Sequence, residues 1–287
     1  MKYFISCLTC LLLSFPSLWA LQIQDTLYLN SGQSMMADSS MQIGFAFNGT
    51  PIYSAHNKVL KASPGDSLQL TIFNSDSTDH AFVLEGHSSG NWNLPAGQFS
   101  SRSFATTSEG VFLFVEASAS SKYRYLGAAG MLVVEGGHPA ASYYWNIREF
   151  SSLWNDSLQA NQSINWSAYD PDYFILNGRG KPQIVDDSSA VVRGGVGDTI
   201  RIYVINTGLG LHSLHFHGYH VRVVQASKHP RKTNWIKDTM PVATKESLTL
   251  ELIPDKPGMY PVHDHNLISV SGGGYYPHGI FLVMDIN

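Results

Sequence analysis

Five histidines in two short clusters are the residues of this chain whose types and spacing could do chemistry. They are His212, His215 and His217 in one ten-residue stretch, and His263 and His265 about fifty residues later. Because successive side chains of a strand point to opposite faces, each His-x-His pair places two imidazoles on one face. Two such strands side by side would bring four imidazoles together, and neutral imidazole suits copper, zinc, iron or nickel. The spacing therefore predicts a histidine metal site, with a hydrogen-bonded polar cluster at a strand edge as the alternative.

Composition limits the classes of protein to consider. The chain has 287 residues, of which 44% are hydrophobic and 14% charged, with a formal net charge of −4. This length is enough for two domains of ordinary size. Because there is no basic patch, we expect no nucleic-acid partner.

The first twenty residues have the pattern of a secretory signal peptide. Lys2 supplies the positive charge, an apolar run covers 3–13, and Ala20 ends a plausible cleavage site. The run is too short to favour a membrane anchor, and no later segment is apolar enough to span a bilayer. The sequence predicts a cleaved signal peptide over 1–20 and a secreted or periplasmic protein.

Both cysteines, Cys7 and Cys10, fall inside this predicted signal peptide. The mature protein would then contain no cysteine. That excludes disulfides, thiolate metal ligands and a cysteine nucleophile.

The remaining chain consists of short, often alternating apolar runs broken by Gly, Pro, Asn and Ser, which is typical of an all-β sandwich. The pattern occurs twice: residues 65–87 parallel 197–220, and 109–118 parallel 257–266. Such internal similarity predicts two tandem copies of one β-sandwich.

The repeat also gives the predicted domain boundaries. They are a first domain over 21–137, an aromatic-rich connector over 138–172 and a second domain over 173–287.

The histidine motifs resemble those of multicopper oxidases and copper nitrite reductases. The run from His212 to Gly218, HSLHFHG, is similar to the family pattern H-P-x-H-L-H-G at its three histidines, and PGMYPVHDHNLI is similar to the segment that contains H-C-H. The resemblance covers nearly the whole mature chain. It implies two cupredoxin-like Greek-key β-sandwich domains and copper as the cofactor.

The resemblance also implies a role for each histidine. Four of them look like the half of a type 2/type 3 copper centre that one domain supplies: His215, His217, His263 and His265. His212 lies where the first type 1 copper ligand would be.

The departures from the family pattern are as informative. Asp264 stands where the type 1 cysteine would be, and Ser269 where the second type 1 histidine would be. Blue copper needs a thiolate, so a conventional type 1 electron relay is excluded. In the first domain the corresponding pair is Val115 and Glu116, and that domain contains only His56, His80 and His87. The trinuclear cluster of the family takes four histidines from each of two domains, so this chain cannot form it in the usual way.

A second metal site remains a hypothesis for the opposite face of the strands. His212, Asp264 and His278, which follows a glycine-rich loop, would form an oxygen-and-nitrogen site suited to iron, zinc or cupric copper. The alternative is that Asp264 and His212 are simply hydrogen-bonded to each other.

Three functions are compatible with these observations. The first is a copper-dependent oxidoreductase that takes electrons directly from a small-molecule reductant and binds dioxygen or a similar small molecule. The second is non-catalytic copper sequestration or delivery, and the third is a metal-free interaction scaffold. The resemblance further implies a homotrimer with the metal site between subunits.

Overall fold

The computed structural model describes residues 21–86, 91–118, 121–137 and 139–287. The predicted signal peptide, with Cys7 and Cys10, lies outside the described residues. The prediction of an all-β protein is confirmed, because most of the described chain forms two β-sandwiches.

The first sandwich packs a four-stranded sheet, in the order β2-β1-β4-β7, against a five-stranded sheet, in the order β3-β9-β8-β5-β6. Its strands are β1 (Gln22–Met35), β2 (Met41–Asn48), β3 (Leu60–Ala62), β4 (Ser67–Asn74), β5 (His80–Leu84), β6 (Trp92–Leu94), β7 (Phe99–Ala105), β8 (Gly110–Glu116) and β9 (Ala129–Val134).

The second sandwich repeats this plan with a six-stranded sheet, β11-β10-β13-β18-β15-β16, and a five-stranded sheet, β12-β20-β19-β14-β17. Its strands are β10 (Ala141–Phe150), β11 (Tyr173–Leu176), β12 (Arg193–Gly194), β13 (Ile200–Asn206), β14 (His212–Phe216), β15 (Val221–Ala226), β16 (Ile236–Lys237), β17 (Thr239–Val242), β18 (Ser247–Leu252), β19 (Gly258–Asp264) and β20 (Phe281–Ile286).

In the part of the chain that the structure describes, helix is confined to two short α-helices, α1 (Lys122–Tyr125) and α2 (Ser152–Gln159), and a few single 3₁₀ turns. Among the described residues, no helix has the length and apolar character needed to cross a membrane.

Strand alternation sets the two cores. Along β4 the burial alternates residue by residue, and β14 buries His212, Leu214 and Phe216 while the residues between them reach the surface. The buried side chains of facing sheets interdigitate: Trp145 of β10, for example, stacks on Phe216 of β14 with ring centroids 5.8 Å apart. This alternation decides which histidines face the core and which face outward.

The segment predicted as a connector contributes to the second domain. Residues 141–150 form β10, which pairs in parallel with β13 as β1 pairs with β4 in the first domain. Helix α2 follows it, and Trp154 of this helix is buried against Tyr125 of the first domain. The connector therefore supplies a strand of the six-stranded sheet in the second domain as well as contacts between the two domains.

The outer face of β8 and β5 packs against the second domain. Val115 and Val83 belong to one apolar cluster with Tyr203 and Ile205 of β13. Across the same interface the Ser247 hydroxyl donates a hydrogen bond to the carbonyl oxygen of Val111 at 2.7 Å. The second domain therefore covers most of this face of the first domain.

Candidate metal centre

The two histidine motifs begin on neighbouring antiparallel strands, β14 and β19, and His217 and His265 lie one residue past the ends of these strands. Their register places His215 directly opposite His263. His215 also faces Thr239 of β17, and His263 faces Phe281 of β20. Thr239, His215, His263 and Phe281 therefore form one row across the outer face of the sheet, as the alternation of strand side chains requires.

Four imidazole rings gather on this face. The ring centroids of His215 lie 4.6 Å from His217, 5.6 Å from His263 and 5.3 Å from His265. The rings of His217 and His263 are 5.1 Å apart. The structure thus brings together all four residues that the sequence predicts for the site.

Hydrogen bonds fix two of the rings from one side. His263 Nδ1 lies 2.8 Å from the carbonyl oxygen of Asp264, so Nδ1 carries the proton and Nε2 keeps its lone pair. His215 Nδ1 lies 2.9 Å from Thr239 Oγ1. In both residues Nε2 is the nitrogen left for a metal. In a metal-ligating histidine the other ring nitrogen usually makes a hydrogen bond in this way.

The closest pair of nitrogens is His217 Nε2 and His263 Nε2, which are 3.0 Å apart. Two imidazole nitrogens on one metal ion, each at about 2.0–2.1 Å, are separated by roughly 2.9–3.4 Å for bond angles between a right angle and the tetrahedral angle. The observed separation is compatible with both nitrogens on one ion. In the protein alone it is a hydrogen bond from one ring to the other.

The protonation state also suits a metal ligand. Burial, together with the nearby charges of His215 and His263, lowers the pKa of His217 below its usual value. Histidine binds metals through its neutral form, so crowding of the rings favours the form that coordinates.

In this structure the four histidines do not form a complete set of metal ligands. Within the described ranges, no group of three or more histidine, cysteine, aspartate or glutamate side chains is arranged to hold a metal ion. The structure therefore supplies one pair of nitrogens at ligand separation, and two neighbouring rings, His215 and His265, that would have to turn toward it.

A buried ion cluster lies on the other face of the same two strands. His212 Nδ1 is 2.5 Å from Asp264 Oδ2, and His212 Nε2 is 2.8 Å from Glu149 Oε2. All three side chains are at most 2% exposed. Because both ring nitrogens contact carboxylates, His212 is held as a cation between two anions.

The carboxylate of Glu149 is placed by the loop before β14. Its Oε1 accepts hydrogen bonds from the backbone N–H groups of Leu209 and Gly210 and from the Tyr169 hydroxyl. A Cβ at Gly208 would lie 1.9 Å from Glu149 Oε2, so only glycine fits there. The loop is built around this carboxylate.

The cluster shifts the pKa values of its members in opposite directions. Burial alone would lower the pKa of His212, but the hydrogen bonds to Asp264 and Glu149 outweigh it and raise the pKa to about 9. Burial alone would raise the pKa of Glu149, but the hydrogen bond from His212 and those from the backbone lower it to about 2. The histidine cation and the Glu149 anion stabilise each other.

His278, the third residue of the predicted second site, is not part of this cluster. No hydrogen bond joins it to His212 or Asp264; its ring lies 5.7 Å from that of Tyr275, and its Nδ1 is buried without a hydrogen-bond partner. The contacts of His212 and Asp264 match the alternative to that site, a hydrogen-bonded polar pair.

Sequence reasoning missed Glu149, which no motif marks and which lies 63 residues before His212. It also missed a second cluster of the same kind in the first domain. There His80 Nδ1 is 3.1 Å from Glu116 Oε1, and His80 Nε2 is 2.9 Å from Asp76 Oδ2. The internal repeat, which aligns His80 with His212 and Glu116 with Asp264, was the available signal.

Comparisons with known proteins give one family match. Residues 156–277 match the multicopper oxidase family. Among curated proteins no sequence match is found.

Similar solved structures extend over nearly the whole chain. A blue copper oxidase from Nitrosomonas europaea is 18% identical, with a TM-score of 0.79 over 92% of this chain and 86% of that one. A copper nitrite reductase from Nitrosomonas europaea is 19% identical, with a TM-score of 0.71 over 93% and 94%. A copper-containing nitrite reductase from Thermus scotoductus is 20% identical, with a TM-score of 0.69 over 93% and 62%. Residues 156–277 therefore match the multicopper oxidase family, and the two tandem cupredoxin-like sandwiches have a fold similar to those of a blue copper oxidase and a copper nitrite reductase.

Proposed function

We propose that this protein is a secreted or periplasmic copper-binding protein whose copper site consists only of histidines. His217 and His263 are the first two ligands, and His215 and His265 complete the set. The observation that carries the proposal is the 3.0 Å separation of His217 Nε2 and His263 Nε2 on a solvent-facing sheet. Copper is the metal we favour because the similar structures are copper proteins.

The residues fit this metal chemically. Imidazole is a good copper ligand, and bound copper would supply one-electron chemistry and a coordination position for a small molecule. The chain's own part is to hold the rings: Thr239 and the Asp264 carbonyl oxygen fix Nδ1 of two histidines. Such contacts to the second ring nitrogen orient ligands and raise their basicity.

The ion cluster of His212 favours a mechanism in which a reductant passes electrons directly to copper at the outer histidines. At the place of the type 1 cysteine stands Asp264, whose carboxylate contacts the His212 ring. With both nitrogens of His212 engaged, this position offers no thiolate and no free imidazole nitrogen. A small-molecule reductant must then reach the outer histidines itself, and dioxygen is the electron acceptor we propose. Copper sequestration or delivery without turnover is the alternative that the missing relay favours.

A second copy of the chain would complete the site. In the first domain the equivalent outer face is covered by the second domain through Val83, Val115 and their partners. In the second domain this face is open, and Met259 and Leu267 nearby are 71% and 67% exposed. A repeated head-to-tail contact would cover it with the first domain of the next chain and close into a ring, which we propose to be a trimer.

The test is copper binding by purified protein that starts at Leu21. After copper loading and removal of free metal, we expect stoichiometric copper by elemental analysis. We expect a paramagnetic-resonance signal of nitrogen-ligated cupric copper without the intense visible absorption of a copper–thiolate bond. The double variant His217→Ala/His263→Ala should lose the copper. Light scattering on the same samples gives the number of chains.

Two exposed histidines off this face supply the control. The variant His220→Ala/His229→Ala removes as many imidazoles and should keep the copper. Copper retained by the His217/His263 variant, or lost equally by both, would refute the site. Oxygen uptake with small reductants then separates oxidoreductase from carrier.

A further inference from the structure

The backbone nitrogen of Leu21 points at a buried carboxylate. Leu21 precedes β1, and its N–H donates a hydrogen bond to Asp66 Oδ1 at 3.1 Å. Its carbonyl oxygen accepts from the N–H of Ser67 at 2.9 Å. Leu21 is also the residue that follows the predicted cleavage site, so its nitrogen is the one that processing would release.

Asp66 is held in place independently of Leu21. Its side chain is largely buried, and Oδ2 accepts the N–H of Ser63 at 2.7 Å. Its backbone carbonyl oxygen accepts both the N–H and the hydroxyl of Thr106 at 2.9 Å. Oδ1 is therefore presented to Leu21 by a rigid turn.

The second domain contains the equivalent turn, which there lies in the middle of the chain. Asp198 is the residue equivalent to Asp66, and its Oδ2 accepts the N–H of Gly195 at 2.7 Å in the same way. By the register of the parallel strand pairs, Pro139 is the residue equivalent to Leu21. Proline has no N–H to donate. The turn thus needs only its own hydrogen bond, and the contact to Leu21 is an addition found in the first domain.

We propose that Asp66 is a receptor for the α-ammonium group that cleavage between Ala20 and Leu21 creates, so that processing locks β1 onto β4. Before cleavage the contact is a hydrogen bond from an uncharged amide to the carboxylate of Asp66. After cleavage the donor is itself charged, so the contact becomes an ion pair with a largely buried carboxylate and gains the Coulomb attraction between opposite charges.

The chemistry of the step is hydrolysis of one peptide bond by a peptidase. Water adds its hydroxyl to the Ala20 carbonyl carbon and a hydrogen to the Leu21 nitrogen as the C–N bond breaks. The carboxyl group loses its proton and the new amine binds one, because an α-amino group has a pKa of about 7.7–8.0. A carboxylate leaves with the released peptide, and the ammonium stays at Asp66.

The experiment compares two forms of the chain 21–287 that differ only in the group attached to the α-nitrogen of Leu21. One has a free α-amino group at Leu21, and the other is acetylated there. At pH 6.5 we expect the free form to melt about 2–5 °C higher. The gap should close as the pH rises through the α-amino pKa, which Asp66 would raise. Leu21 and Asp66 lie in a surface groove, and the other ionisable side chains that line it in the described structure, Lys61, Glu109, Glu135 and Tyr144, are common to both forms.

Two aspartate variants test whether the difference in melting temperature depends on Asp66. Asp66→Asn should abolish the difference between free and acetylated chains. Asp198→Asn, the equivalent change in the second domain, should lower both melting temperatures and leave the difference intact. Equal melting of the free and acetylated wild-type chains would overturn the proposal, as would a difference that persists in Asp66→Asn. Mass spectrometry of the exported protein must also give Leu21 as the first residue; any other first residue would overturn it.

Discussion

In the first domain His80 contacts Glu116, and at the equivalent place in the second domain His212 contacts Asp264. Each histidine uses Nδ1 for this contact and Nε2 for a second carboxylate. Both rings are buried. The inner faces of the two sandwiches therefore carry the same three-residue ion cluster.

The second carboxylate comes from a different place in each domain. Asp76 lies in the loop after β4, and the equivalent residue in the second domain is Gly208. Glu149 lies on β10, and by the strand register the equivalent residue on β1 is Ser31. Each cluster thus has one carboxylate in a place where the other has a small residue. A buried histidine cation has two N–H groups that need acceptors, and the fold supplies the second carboxylate from whichever side has room.

The outer faces differ completely. Where the second domain has His215 and His263, the first has Val83 and Val115, packed against Tyr203 of the second domain. Strand alternation places the ion clusters and the outer side chains on opposite faces of the sheet, because neighbouring residues of a strand point to opposite sides. Imidazoles lie on the face that is open in the single chain, and apolar side chains lie on the equivalent face that the other domain covers.

The largest effect we expect comes from removing the central histidine of either cluster. His212→Ala leaves the carboxylates of Asp264 and Glu149 facing each other in the core, and breaking a buried ion pair in this way costs about 3–5 kcal/mol. His80→Ala should cost less, because Asp76 is 22% exposed whereas Glu149 is 2% exposed. Equilibrium unfolding in urea measures both variants.

An exposed histidine gives the baseline for this comparison. His220→Ala should change the free energy of unfolding by no more than about 0.5 kcal/mol. If His212→Ala and His80→Ala are as mild as this control, the clusters do not stabilise the protein. If His80→Ala is the more damaging, exposure of the second carboxylate does not set the cost.

A reciprocal exchange on the outer faces should have the next largest effect. Val115→His puts an imidazole into the interface with Tyr203 and Ile205, where overpacking and an unpartnered polar group together cost about 2–4 kcal/mol. His263→Val, the equivalent change in the second domain, should cost less than about 1 kcal/mol because the site is partly exposed.

Copper content gives a second readout for the exchange. His263→Val should reduce bound copper, and Val115→His should add none. Extra copper bound by the Val115→His protein would show that the covered face can still open, which contradicts the packing of Val115 in the interface.

The outer face could be predicted from the sequence because it depends on local spacing. In each His-x-His pair the first histidine lies on a strand and the second lies one residue past its end, so the spacing predicts that both rings share a face. The ion cluster of His212 could not be predicted fully, because Glu149 reaches it from the predicted connector across 63 residues. The position of His278 before the last strand suggests a place beside His212, but the sequence does not define the path of the glycine-rich loop that precedes it.

The smallest effect should be a pH dependence that distinguishes the cluster of the first domain. Burial alone would lower the pKa of His80, but the hydrogen bonds to Glu116 and Asp76 outweigh it and raise the pKa above its usual value near 6.5. Because the folded-state pKa is the higher one, the stabilisation is complete below about pH 6.5 and is lost as the pH rises through the folded-state value. Wild type and His80→Asn should therefore differ most in free energy of unfolding near pH 6, and the difference should shrink toward pH 9. Taking the difference removes the titration of His212, which both proteins share. A difference that grows with pH would mean that His80 is buried as a neutral ring, and the likeness of the two clusters would then end at their geometry.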